Sequence, residues 1–142
     1  MIRACSHLVI ASKDVPKMAR AFAALFGVKP HYEHPEFAEF VLPSRFRLAF
    51  FRPAGTASRY FTTEGPRSQV AYGITADDVD RIYALATSED QVRAGFQVSG
   101  PPKSHPWGEK SFLLVDPDGN RWEIAQSPSE DGMLVNRNDP LV

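Results

Sequence analysis

The chain has 142 residues, which is enough for one domain or for two small modules that share a core. With 43% hydrophobic residues, 23% charged residues and a formal net charge of -1, its composition argues against a general nucleic-acid binder or a membrane-surface binder. No apolar run reaches the roughly 18 residues that a membrane span needs, and the single cysteine excludes an intrachain disulfide.

The compartment expected from these features is the cytoplasm. A chain with one cysteine does not depend on an oxidising environment. The opening residues do not combine basic side chains with an apolar stretch in the way a secretion signal does. We therefore expect a cytoplasmic protein with no nucleic acid and no membrane among its partners.

The first half of the chain predicts a β-α-β-β-β unit. Residues 6–11 alternate in the way of a short buried strand. A helix follows, because Asp14 can cap its start, Pro16 is tolerated in its first turn, and Gly27 can end it after apolar residues at helical spacing. Three further β-type runs are expected at 28–32, 37–42 and 46–51.

The same order of elements is expected again in the second half. Residues 54–68 have the composition of a loop, and a strand then begins at Gln69, followed by a helix that Asp77 or Asp78 can cap. The segment 87–95 either extends that helix or adds a turn. The remaining strands are expected at 96–98 and in a hairpin at 110–126. An internal duplication is the economical interpretation, with modules at 1–66 and 67–126 and a C-terminal tail at 127–142.

The hairpin at 110–126 carries the most specific local signal. Its turn, Asp-Pro-Asp-Gly-Asn at 116–120, combines a fixed φ, a glycine that tolerates positive φ, and side chains that can bond nearby amides. Because strand side chains alternate, Glu123 lies on the face opposite the bulky apolar residues that flank it. An acidic residue in an apolar strand costs free energy unless it is paired or hydrated. Glu123 is therefore a candidate site residue, with Arg121 or Arg47 as the partner if its role is only structural.

A duplicated βαβββ unit with these signals resembles the vicinal oxygen chelate superfamily. That group includes glyoxalase I, extradiol dioxygenases, fosfomycin-resistance enzymes and bleomycin-resistance proteins. The resemblance covers about residues 5–126 and depends mainly on Pro106-Trp107-Gly108, on the 116–120 turn with Glu123 after it, and on the His7-Leu8-Val9 opening. It implies an α+β fold in which two βαβββ modules form curved mixed sheets around a central cavity.

The resemblance also implies four candidate metal-ligand positions, one in the first and one in the last strand of each module. Carried over to this chain they are His7, Ala49, Gln69 and Glu123. Ala49 has no donor atom, and Gln69 is a weak neutral ligand, although some glyoxalase I enzymes use a glutamine. His7 is either a ligand or a hydrogen-bonded residue at a strand start. We expect no efficient metal site and no resident cofactor; a divalent ion held by the other three residues would be Zn, Ni, Mn or Fe.

The function expected is small-molecule binding in a cavity lined by aromatic and a few polar residues, serving ligand sequestration or resistance-like binding. Arg47 or Arg121 would favour an anionic or carbonyl-bearing group. The histidines at 31, 34 and 105 lie in loop-like polar stretches and are expected to be solvated. The expected ligand-binding residues are His7, Arg47, Phe51, Gln69, Trp107, Phe112, Arg121 and Glu123.

Two other functions stay open. In a metal-dependent glyoxalase-type lyase or isomerase, or a related dioxygenase-like enzyme, His7, Gln69 and Glu123 would hold the ion, and Glu123 would be the catalytic group that moves a proton between carbons. The iron dioxygenase chemistry would need a histidine at 69. In a regulatory or interaction module the sheet edge would be used instead of a pocket. The resemblance further implies a homodimer.

Overall fold

The computed structural model describes residues 1–63 and 70–126. The chain divides into two compact units, Met1–Gly65 and Pro66–Val142. Each unit is built on one mixed β-sheet. Gln69 and the expected tail at 127–142 lie outside the described residues. Within the described ranges, no helix is long and apolar enough to span a membrane.

The first unit has the β-α-β-β-β order predicted from the sequence. β1 and β4 are parallel neighbours, while β4 with β3 and β3 with β2 are antiparallel. The strand order in the sheet is therefore β1-β4-β3-β2. The elements are β1 (His7–Ala11), α1 (Val15–Phe26), β2 (Tyr32–His34), β3 (Phe37–Val41), β4 (Arg47–Phe51) and a 3-10 helix (Gly55–Arg59).

Helix α1 begins and ends where the sequence predicts. The Asp14 side chain accepts a hydrogen bond from the backbone N–H of Lys17 at 3.1 Å, and Gly27 ends the helix with a φ of 66°. The helix packs on one face of the sheet through Phe22, whose ring lies 4.9 Å from that of Phe40 and 5.7 Å from that of Phe50. The core of the unit is therefore on this side, and the other face of the sheet is not covered by α1.

The second unit repeats this arrangement. β5 and β9 are parallel, and β8 is antiparallel to β9, to β6 and to β7. In both units the strands lie in the order first, last, next-to-last and second, here β5-β9-β8-β6, which supports an internal duplication. The elements are β5 (Ala71–Thr75), α2 (Val79–Ala86), α3 (Glu89–Ala94), β6 (Gln97–Val98), β7 (Lys103–Ser104), β8 (Lys110–Val115) and β9 (Arg121–Gln126).

Two details differ from the sequence prediction or complete it. The strand predicted at 28–32 lies further along the chain, because β2 is Tyr32–His34. The hairpin with β3 pairs the residues next to its turn, and Pro30 has no N–H to donate to such pairing. The segment 87–95, for which the sequence allowed two conformations, forms the separate helix α3, and the Ser88 hydroxyl accepts the backbone N–H of Gln91 at its start.

The turn between β8 and β9 is organised by one buried carboxylate, that of Asp116, which is 2% exposed. Its Oδ1 accepts the backbone N–H groups of Asp118 and Asn120, both at 2.9 Å. Its Oδ2 accepts the Asn120 side-chain amide at 2.9 Å and the indole N–H of Trp122 at 2.8 Å. Burial raises the pKa of Asp116, although the hydrogen bonds from Trp122 and Asn120 act to lower it. This network links the turn to the second residue of β9.

Candidate functional site

Three expected site residues of the first unit lie on the sheet face that α1 leaves uncovered. His7 of β1 is in register with Arg47 of β4, and Ala11 is in register with Phe51. Since cross-strand partners share a face, His7, Arg47 and Phe51 lie on one face. Ala49, between the last two, shares that face and has no side-chain donor.

A row of hydrogen bonds and ion pairs crosses this face. Arg47 Nη2 donates to His7 Nδ1 at 3.1 Å, and Arg47 Nη1 lies 3.6 Å from Glu39 Oε2. On the far side of Glu39, its Oε1 accepts a hydrogen bond from His31 Nε2 at 2.7 Å. We call His7, Arg47, Glu39 and His31 the polar row. Its two inner members are partly exposed, with side-chain fractions of 43% for Arg47 and 12% for Glu39.

Glu39 and His31 are missed by the sequence reasoning. The sequence predicts that His31 is solvated. Half of its side chain is indeed exposed, but its ring also donates a hydrogen bond to Glu39. The alternation of β3 could have placed Glu39 on the open face, since it pairs with Ala49 of β4. The contact with His31 depends on the path of the chain before β2, which local sequence signals did not predict.

In the second unit, Glu123 and Arg121 lie on the face of β9 opposite Trp122 and Ile124. Those two apolar residues are 3% and 0% exposed, whereas Glu123 is exposed, as alternation predicts. The residue in register with Glu123 on β5 is Gly73, and no atom lies within 4 Å of the position its Cβ would have. Glu123 therefore stands beside open space.

The two aromatic residues expected near Glu123 have different surroundings. Phe112 pairs with Ile124 on the helix-covered face, is 4% exposed and packs edge-on against Tyr83 of α2 at 5.5 Å. It is a core residue, so we do not include it in the proposed site. Trp107 is 69% exposed, and its ring stacks on that of His105 at 4.5 Å.

His105 also differs from the expectation of a solvated side chain. It is half-buried, and its Nε2 lies 2.7 Å from the hydroxyl oxygen of Ser111, a buried residue of β8. The stack with Trp107 covers one side of the imidazole ring. The loop between β7 and β8 is thus held to the sheet by this hydrogen bond.

The comparisons with known proteins agree with the fold. A family model described as the Glyoxalase/Bleomycin resistance protein/Dioxygenase superfamily matches residues 4–124. This chain belongs to that superfamily. A comparison with curated proteins found no significant match.

Solved structures of this superfamily share the fold at low sequence identity. A glyoxalase-related enzyme from Fulvimarina pelagi is 22% identical, with a TM-score of 0.71 over 89% of this chain and 90% of that one. A superfamily enzyme from Burkholderia phytofirmans is 18% identical, with a TM-score of 0.68 over 85% and 96%. The fosfomycin resistance protein FosX from Listeria monocytogenes is 15% identical, with a TM-score of 0.67 over 93% and 98%. At these identities the likeness shows the fold alone.

The donor atoms of the described residues do not fit the divalent ion that many superfamily members use. His7 Nδ1 lies 3.1 Å from Arg47 Nη2 and 2.8 Å from the hydroxyl oxygen of Ser6. Because an arginine N–H can only donate, Nδ1 accepts from Arg47, and a neutral imidazole then carries its proton on Nε2. The paired position in the same unit is Ala49. In residues 1–63 and 70–126, no three histidine, cysteine or acidic side chains group in a way that could hold a metal. We derive no step through a metal.

Proposed function

We propose that this superfamily member is a small-molecule-binding protein that holds an anionic or carbonyl-bearing ligand without using a metal. The observation that carries the proposal is the hydrogen bond from Arg47 to His7 Nδ1. It occupies the Nδ1 lone pair, leaves the proton of a neutral imidazole on Nε2, and puts a cation beside the ring that would repel a divalent ion. The role is ligand sequestration or resistance-like binding.

Arg47 has the donors that such a ligand needs. Its guanidinium carries five N–H groups, and the two contacts that join it to His7 and Glu39 leave part of this set for an incoming oxygen. Phe51, further along β4 on the same face, contacts Phe61 edge-on at 4.9 Å and offers an apolar surface. A cation and an aromatic surface on the same face of the sheet suit a ligand with an oxyanion and an apolar body.

The first experiment measures metal content. Protein purified without chelators should contain much less than one equivalent of Zn, Ni, Mn or Fe by mass spectrometry of the metals. One equivalent of metal that is lost in His7→Ala would overturn the proposal.

The second experiment measures binding of phenylglyoxylate by calorimetry. Arg47→Met should weaken binding by about ten- to a hundredfold, the usual effect of losing hydrogen bonds to a charged group. Arg20→Met, which removes an exposed arginine of α1, is the matched control and should bind like the unmodified protein. Equal effects of both substitutions would indicate non-specific charge attraction instead.

Glu123 is the observation that favours the metal-dependent lyase as a second candidate, because its carboxylate stands beside open space on the second sheet. A general base of this kind would remove a proton next to a polarised carbonyl. The test is turnover of an α-oxoaldehyde–thiol adduct with added divalent metals. Turnover that is lost in Glu123→Gln would replace the binding proposal with the lyase. Under the binding proposal, Glu123, Arg121 and Trp107 are proposed ligand contacts within the second unit, Gln69 stays a prediction from the sequence, and Glu123→Gln affects only affinity.

A further inference from the structure

The first unit also has a depression on its surface that none of the residues of the polar row lines. It is a depression of about 470 Å³, within the usual size range of small-molecule sites. We call it the Arg52 depression. Its lining residues are Ser12, Lys13, Arg52, Pro53, Ser58, Phe61, Thr62 and Thr63.

The depression lies where two parallel strands end. Ser12 follows β1 and Arg52 follows β4, and the backbone N–H of Ser12 donates to the carbonyl of Phe51 at 2.8 Å. The carboxyl ends of neighbouring parallel strands meet at one edge of a sheet, so the residues that follow the two strands lie close together. The sheet thus places Lys13 and Arg52, which are 39 positions apart in the sequence, on the same depression.

The other wall comes from the segment after β4. In the 3-10 helix, the Ser58 hydroxyl donates to the carbonyl of Gly55 at 2.7 Å, and the backbone N–H of Phe61 donates to the carbonyl of Ala57 at 3.2 Å. The Phe61 ring is fixed on its inner side by the edge-on contact with Phe51 and is still 46% exposed. The wall therefore offers an aromatic surface that is held in place.

The chemistry of the lining favours an anion. Of the eight lining residues that lie in the described part of the chain, two are cationic, four carry hydroxyl groups, and none is acidic. The Arg52 guanidinium makes no ion pair or hydrogen bond with any other described residue. An arginine fork with free N–H groups binds planar or tetrahedral oxyanions with two hydrogen bonds.

We infer that the Arg52 depression is a binding site for a small organic oxyanion, a carboxylate or a phosphate monoester, whose apolar part packs on Phe61. Arg52 supplies the bidentate contact, and the hydroxyl-bearing residues of the 58–63 segment surround the anion. The inference does not depend on the polar row, because Arg47 does not line this depression.

Calorimetry with phenyl phosphate, benzoate and inorganic phosphate tests the site and separates its ligand classes, and benzamide serves as the uncharged probe. Phenyl phosphate or benzoate should bind more tightly than inorganic phosphate, because only they reach Phe61, and benzamide should not bind. Arg52→Met should weaken binding by about ten- to a hundredfold. Arg52→Lys should restore it only in part, because an ammonium lacks the fork.

Two controls make the result specific. Arg59→Met removes another exposed arginine of the same segment that does not line the depression, and it should leave binding unchanged. The failures of the proposed function and of this inference are separable, because a loss of binding in Arg47→Met alone concerns the polar row, whereas a loss in Arg52→Met alone concerns the Arg52 depression. Equal losses in Arg52→Met and Arg59→Met would overturn the inference, as would no binding of any of the anions.

A measurement on the unmodified protein removes any dependence on how the variants fold. Titration with phenyl phosphate, followed by amide chemical shifts, should move the signals of Ser58, Thr62 and Thr63 together and with one affinity. Shifts confined to β4 around Arg47 would place the anion on the polar row instead and would also overturn the inference.

Discussion

At the scale of single residues, Arg47 determines how His7 behaves. The two side chains are adjacent because β1 and β4 pair in parallel, and the guanidinium is then held between an imidazole and a carboxylate. The imidazole accepts from an arginine instead of donating its lone pair to an ion. His7 is thus hydrogen-bonded within the unit, and its role as a metal ligand or as a purely hydrogen-bonded residue stays a question for the metal analysis.

Removal of the guanidinium should expose this effect. In Arg47→Met, the His7 lone pair is released and one positive charge is lost. We expect the residual affinity for Zn²⁺, measured by competition with a chromophoric chelator, to rise by about tenfold. Arg20→Met should leave the Zn²⁺ affinity unchanged. A fall in affinity in Arg47→Met would mean that Arg47 does not oppose metal binding at His7.

Asp116 is the second residue whose environment predicts a measurable effect. In Asp116→Asn, one carboxylate oxygen becomes an NH₂ group that faces the N–H donors of Trp122 or Asn120. A buried donor without an acceptor costs about 1–3 kcal/mol. Urea denaturation should show this loss in the free energy of unfolding. An unchanged value would show that the turn does not depend on the carboxylate.

The raised pKa of Asp116 also predicts a dependence on pH. The folded protein holds this proton more tightly than the unfolded chain does, so above the ordinary value of 3.8 the folded state binds more protons. The contribution of Asp116 to stability therefore falls as the pH rises from 3.8 through the raised pKa, and it is constant above that. The difference in unfolding free energy between the unmodified protein and Asp116→Asn, measured across this range, isolates the group from other carboxyls. If the unmodified protein instead gained stability over the variant as the pH rose, the pKa of Asp116 would be lowered by folding and not raised.

At the scale of elements, the ends of α1 are set by local chemistry. Asp14 satisfies one of the free N–H groups of the first turn, and Gly27 takes the left-handed conformation that ends the helix. Because both signals are local, the sequence predicted this helix almost to the residue. Strand β2 has no such local signal, and its position is decided by its pairing with β3.

Two glycines allow a matched test of this explanation. Gly27→Ala should lower the free energy of unfolding by about 1–2 kcal/mol, because φ is +66° there and nothing within 4 Å would clash. Gly73→Ala has equal space and no positive φ, so it should change stability by less than about 0.5 kcal/mol. Thermal or urea unfolding distinguishes the two. Equal losses would show that the cost at position 27 is not one of backbone conformation.

At the scale of the whole molecule, two units repeat one topology. The parallel pair of first and last strands in each unit places the residues of those strands side by side, as for His7 with Arg47 and for Gly73 with Glu123. This pairing brings together residues that are about 40 to 50 positions apart. Local sequence signals do not contain that information, but the resemblance to a family does.

The homodimer implied by the resemblance is a prediction at this scale. Light scattering should give a mass of about twice the 15.8 kDa of the chain at high concentration. A mass that stays at that of one chain over the whole concentration range would contradict it.

The sequence by itself determined the α+β class, the duplicated order of elements, the bounds of α1 and the faces of β9, because capping, turn chemistry and alternation act over a few residues. The candidate position His7 came from the resemblance, whereas Glu123 came from strand alternation and was supported by the resemblance. Only the tertiary structure decided that Arg47 holds His7, that Glu39 and His31 extend the row, that Phe112 belongs to the core, and that Arg52 lines the same depression as Lys13. Each of these depends on the register of strands or on the path of a loop, which is fixed by packing between distant parts of the chain.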